Sequence, residues 1–122
     1  MKFQILLAGM LFLTACGSKP LAEIKVPFTG ESVMNVIAGE PYRFFRYETK
    51  EAAQADIAKV SSDGHAISGR RIPWEGPVHF YFKLKRIVIY VGSNPVVTKT
   101  IEDVFGPQTA GDPLPPQGER AG

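Results

Sequence analysis

The chain has 122 residues, 44% of them hydrophobic, with 14 basic and 12 acidic side chains and a formal charge of +2. So even a balance argues against a nucleic-acid binder, which carries a strong positive excess, and the hydrophobic share argues against a charged, disordered chain. A single cysteine rules out any intrachain disulfide, so one small domain must hold itself together by packing alone.

At the N-terminus, Met1 and Lys2 give a short positive start, followed by an apolar run, Phe3 to Leu13, broken only by Gln4 and Gly9. About eleven residues suit the hydrophobic part of an export signal and are too few to cross a hydrocarbon core of roughly 30 Å. The residues Leu13-Thr14-Ala15-Cys16-Gly17 then resemble the lipobox of bacterial lipoproteins: an aliphatic residue, two small ones, and the cysteine that is lipidated. The expectation is removal of 1–15 as a signal peptide, acylation of Cys16, and a lipid-anchored protein of the cell envelope. Stable anchoring needs more than one acyl chain, each buried methylene adding ~0.8 kcal/mol. Cys16 as an ordinary buried thiol, or Ala15 at a plain secretory cleavage site, are the alternatives. Gly17 and Ser18 lack the aspartate that retains lipoproteins at an inner membrane. The expected address is therefore the outer membrane of a two-membrane cell, or otherwise the outer leaflet of the plasma membrane.

Residues 16–26 read as a flexible leash and 27–107 as the folded domain. Residues 108–122, with their prolines and glycines and no apolar period, read as a disordered tail.

Within the domain, Val33, Met34, Val36 and Ile37 suggest a strand or extended arm, and Gly39-Glu40-Pro41 a turn. The aromatic stretch Tyr42 to Tyr47 predicts a strand with both faces mostly covered. The period then changes: Thr49 can cap a helix, and Ala53, Ile57 and Val60 fall on one face before Gly64 ends it. The segment "HAISGRRIPW" is a weak strand, interrupted by Gly69 and Pro73. Val78 to Val91 carries the strongest β signal: a hairpin turning at Lys83-Leu84-Lys85, with Arg86 to Val91 suited to a central buried strand. Asn94 and Pro95 open a last helix, whose stripe is Val97, Ile101, Val104 and Phe105 and whose end is Gly106-Pro107. The expected fold is α+β: a small antiparallel sheet, two amphipathic helices packed on one face, in the order strand, helix, weak strand, hairpin, helix.

The run "YRFFRYETKEAAQADIAKVSSDGHAI", Trp74, "HFY" at 79–81, "IVIYVG" and "GPQTAG" are similar to a family of small bacterial lipoproteins, over roughly 42–111. Leu84 stands where that family has a hairpin glycine, and Ile67-Ser68-Gly69 where it has Ile-Gly-Thr. The resemblance implies that lipid anchor and domain belong together. It implies no activity, ligand or catalytic residue.

Side chains for chemistry are sparse. His65 and His79 with a lone cysteine fall short of a zinc site, so no metal and no cofactor is expected. No serine sits in a strand–turn–helix elbow between glycines, no paired carboxylates stand out, and "SDGHAISG" lacks the lysine of a phosphate loop. Arg70, Arg71, Lys83, Lys85 and Arg86 are candidate contacts for an anionic surface or a partner if the weak strand lies beside the hairpin. The alternative is solvated charge that protects a sheet edge. Trp74 is either an exposed partner anchor or a lid over the core. The expected function is a non-catalytic binding or interaction module, anchored through lipid, with an envelope protein as possible partner. The alternatives are a small envelope enzyme using His65 or His79 as general base, and a structural spacer.

Overall fold

A computed structural model describes residues 20–115. Cys16 and the last part of the expected tail lie outside the described residues. The fold is α+β, built on a five-stranded antiparallel sheet in the order β1-β2-β6-β5-β7. Its elements are β1 (Glu31–Ile37), β2 (Glu40–Arg46), α1 (Lys50–Ile57), β3 (Ala66–Ile67), β4 (Arg70–Arg71), β5 (Val78–Lys83), β6 (Arg86–Val91), α2 (Pro95–Phe105) and β7 (Ala110–Gly111).

Turn chemistry sets the local pairing. β1 and β2 close around Ala38 and Gly39, both at positive φ, with Ile37 opposite Glu40. The ambiguous segment after α1 makes a separate small hairpin, β3–β4, turning at Ser68 and Gly69 with the same signs. Such turns match the right-handed twist of the flanking strands. At the β5–β6 turn Leu84 takes φ 56°, in the region that glycine enters without steric penalty.

β6 is the centre. Ile87, Val88, Ile89 and Tyr90 are all buried, and alternate side chains of a strand point to opposite faces. Ile87 and Ile89 join Phe45, Val78 and Phe80 in one core cluster, which Ala53 of α1 covers. Val88 and Tyr90 join Tyr81 in another, covered by Val97 and Ile101 of α2. The helices therefore lie on opposite faces of the sheet, which corrects the expectation of one shared face. A continuous apolar run in a central strand leaves two surfaces to bury, and one helical layer covers only one of them.

The boundaries also shift outward from those expected. Leu21 and Ile24 are buried in the α1-side core, and Leu21–Glu23 forms a 3-10 turn, so the residues of the expected leash from Leu21 onward belong to the domain. Arg43 holds them: its guanidinium donates to the Ile24 carbonyl and lies over the Phe45 ring at 5.2 Å. At the other end β7 pairs with β5 through His79↔Gly111 and Phe80↔Ala110, inside the expected tail. Gly111 is required there, because a Cβ would run into the backbone of Val78 and His79.

α1 begins at the expected cap, Thr49, whose side chain accepts from Ala52 N–H at 3.1 Å. It ends at Ile57, before the apolar pattern does, and Val60 goes on to bridge Ile67. Asp56, buried in the last turn, accepts from Thr29 N–H at 2.6 Å, the Tyr47 hydroxyl at 2.8 Å and Lys59 Nζ at 2.8 Å. One carboxylate thus ties the N-terminal arm, the end of β2 and α1 together. Burial works against its ionisation, but the bonds from Lys59, Thr29 and Tyr47 outweigh it and hold the carboxyl below its ordinary value. In contrast, the Tyr81 hydroxyl is buried without a partner among the described residues.

Two outcomes follow. Tyr47→Phe leaves Asp56 short of a donor and should lower unfolding free energy by roughly 1–3 kcal/mol, whereas Tyr81→Phe removes an unmade bond and should leave it unchanged or raised. Denaturant titration of the pair checks this. The Asp56 carboxyl titrates lower folded than unfolded, so its contribution is complete above the unfolded value of about 4 and is lost as pH falls through the folded one. Asp56→Asn should therefore lose stability at neutral pH and show a shallower acid decline in melting temperature than the wild type.

Candidate functional site

α2 is fixed firmly at its start. Asn94 Oδ1 accepts from Val96 N–H at 2.9 Å, and Asn94 Nδ2 donates to Glu40 at 2.9 Å. The Tyr90 hydroxyl donates to the other oxygen of the Glu40 carboxylate. The bonds from Tyr90 and Asn94 hold the Glu40 carboxyl below its ordinary value, while burial and the bond to Glu40 push the Tyr90 phenol up to about 12.

Toward its C-terminus the helix is less engaged. Val97 and Ile101 of its apolar stripe are buried, but Val104 is 55% exposed and Phe105 only partly covered. A groove of about 360 Å³ opens here between α2 and the sheet, lined by Ile37, Tyr42, Phe44, Val88, Ile101, Val104 and Phe105, with Thr100 and Arg86. It adjoins a cavity of about 420 Å³ lined by Lys83, Leu84, Lys85, Arg86, Val104 and Phe105. Arg86, Val104 and Phe105 line both, and no acidic residue lines either. The Arg86 guanidinium lies 5.7 Å from the Phe44 ring centroid, and Lys83 Nζ donates to the Val104 carbonyl at 3.1 Å. That second contact sets a cation against the carbonyl end of α2, where the helix dipole favours it. Leu84, at the tip, is 62% exposed.

The sequence-flagged residues thus divide. Lys83, Lys85 and Arg86 line the adjoining cavity together, and Arg86 also lines the groove. Arg70 and Arg71 line a separate shallow cavity with Glu23, Ile24 and Lys25. The condition for one shared cationic patch is that the weak strand lie beside the hairpin; instead β3–β4 pairs as its own two-stranded sheet. Trp74 is a core residue, 8% exposed, with its indole N–H donating to the Gly64 carbonyl at 2.8 Å and its ring edge on Phe80. This removes it from the candidate surface contacts.

The histidines serve the fold. His79 is buried: Nε2 meets the Gly92 carbonyl at 3.0 Å and Nδ1 meets Gln108 Oε1 at 2.6 Å. His65 Nε2 lies 3.0 Å from Asp112, which also accepts from Val78 N–H at 2.8 Å. Burial pushes the Asp112 carboxyl up, but the bonds from His65 and Val78, with the fields of His65 and His79, hold it below its ordinary value. His79 thus braces the segment after α2 against β5, and His65 braces it against the loop that precedes β3. Among the described residues no three of His, Cys, Asp and Glu gather closely enough to hold a metal ion, and no helix is long and apolar enough to cross a membrane.

The groove's apolar lining is the part that the sequence reading missed. Its signal was the α2 stripe, which runs on to Val104 and Phe105 beyond the residues that the central strands cover. Comparison of the chain with protein-family models, with curated proteins and with solved structures gives no match.

Asp112→Ala should loosen β7 without unfolding the domain. The amides of Thr109 and Asp112, which donate to the Phe80 and Val78 carbonyls, should exchange faster by on the order of tenfold, as fits losing a bond worth roughly 1–1.5 kcal/mol. Hydrogen exchange followed by NMR measures this, with the β6 amides as the unchanged reference.

Proposed function

We propose that this chain is a lipid-anchored protein of the cell envelope whose domain is a non-catalytic binding module. It works through the groove between α2 and the sheet. The observation that carries the binding reading is that groove: an apolar channel beside a cavity lined by Lys83, Lys85 and Arg86. Sites of this kind, concave and apolar with a few convergent polar groups, are where ligands and partners are held. The polar side chains that catalysis would need are engaged elsewhere, since both histidines and Asp56 and Asp112 bind structural partners.

The anchor rests on Leu13 to Gly17, whose order of one aliphatic, two small and one cysteine residue suits acylation of Cys16. The resemblance to small bacterial lipoproteins points the same way. The proposed address is the outer membrane where the cell has two, and otherwise the outer leaflet of the plasma membrane, with an envelope component as partner.

Intact-mass analysis of the native protein should find the chain beginning at Cys16 with added acyl mass, in the membrane fraction, and Cys16→Ser should abolish both. A bare thiol on the wild type would contradict the anchor. In a deletion strain, Phe105→Glu, checked by circular dichroism to be folded, should fail to restore the wild-type phenotype, whereas His65→Ala should restore it. The reverse pattern would point to catalysis instead.

A further inference from the structure

We infer that the groove beneath α2 holds a monoacyl lipid with a phosphate head. Its chain lies against Phe44, Val88 and Ile101, and its head sits among Lys83, Lys85 and Arg86. This rests on the groove being the working surface, as proposed above, and names what fills it.

The two cavities differ in chemistry and share Arg86, Val104 and Phe105 in their linings. The first, at about 360 Å³, falls in the size range of small-molecule sites, roughly 300–1,000 Å³, and its lining is aliphatic and aromatic apart from Thr100 and Arg86. Such a lining accepts a hydrocarbon chain and offers little to a polar one. The second is bounded by the hairpin cations, with no carboxylate beside them.

Those cations are also unspent. Arg46 pairs with Glu31, Lys59 with Asp56 and Lys99 with Asp103, but Lys83, Lys85 and Arg86 form no ion pair among the described residues. Lys83 Nζ uses one donor on the Val104 carbonyl, and an ammonium has further donors to give. Charge decides the head group. A carboxylate brings one negative charge, whereas a phosphate monoester brings about −1.5 to −2 and several strong acceptor oxygens. The second matches a cavity lined by two lysines and an arginine and by no carboxylate. Arg86 is placed to read both parts of the ligand, since its guanidinium already lies over Phe44 where the apolar channel begins.

The test is an NMR titration of the purified full chain with monododecyl phosphate, kept below its micelle concentration, beside dodecanol, dodecanoate and inorganic phosphate. Monododecyl phosphate should shift Phe44, Val88, Phe105 and Arg86, and bind at least tenfold more tightly than each of the other probes. Arg86→Gln should weaken it by about tenfold, and Arg70→Gln, in the other cavity, should not. Equal binding of dodecanol would show that charge is not read, and equal binding of dodecanoate would show that the head is a carboxylate. Shifts confined to Phe45 and Trp74, an unchanged Arg86→Gln, or binding seen only with anionic vesicles would likewise overturn the inference. If none of the probes binds while Phe105→Glu still abolishes complementation, the groove remains a binding surface and this occupant is wrong.

Discussion

Four successive side chains of β6, Ile87 to Tyr90, are removed from water, two on each face of the sheet. A strand buried on both sides needs a cover on both sides, and much of the remaining architecture answers that need. On one face the cover is composite: α1, the β3–β4 hairpin with Trp74, and the N-terminal arm through Leu21 and Ile24. On the other it is α2, with Ile37, Tyr42 and Phe44 of the neighbouring strands packed against the same cluster. A single eleven-residue helix does not span every strand of a five-stranded sheet, and the groove lies where its cover gives out. The site is thus a by-product of the same constraint that forms the core.

The pieces that carry little apolar surface are held by polar contacts. Asp56 gathers the N-terminal arm, Tyr47 and Lys59. Glu40 joins Tyr90 and Asn94, fixing where α2 begins. Asp112 and Gln108, with the two histidines, fasten the chain that leaves α2 onto β5. A carboxylate held by several donors is coupled to its neighbours, most of all where it is buried as Asp56 is, because losing any one of them leaves a charge short of partners. In a small domain without disulfides, such nodes replace covalent staples. They also hold His65, His79, Asp56 and Asp112 in contacts within the fold.

Much of this was legible in the sequence. The β5–β6 hairpin announced itself by its β-branched and aromatic run, and both helices by their caps, Thr49 and Asn94, which the structure uses as caps. The continuous run in β6 already implied covering on both faces, and placing both helices on one face was at odds with it. Other features left weaker traces. β7 is two residues long and depends on Gly111 for close approach, so no periodicity reveals it. Leu21 and Ile24 precede the first strand in a mixed segment, and the Arg43 contact that docks them joins residues far apart in the chain. Trp74, between prolines, fits either an exposed anchor or a lid over the core, and the carbonyl of Gly64 and the ring of Phe80 place it in the core. Among the candidate contacts, Lys83, Lys85 and Arg86 were visible as charge. Their apolar counterpart, assembled from β1, β2, β6 and α2, exists only in three dimensions.

α2 overhangs a groove only because the two helices cover opposite faces of one sheet. Side-chain NOE contacts in isotope-labelled protein test this most directly. Ala53 should show contacts to residues of the Phe45, Phe80 and Ile89 face, and Ile101 and Phe105 to those of the Phe44, Tyr81 and Val88 face. Contacts from Ala53 and Ile101 to the same strand face would contradict the layered arrangement, and the groove with it.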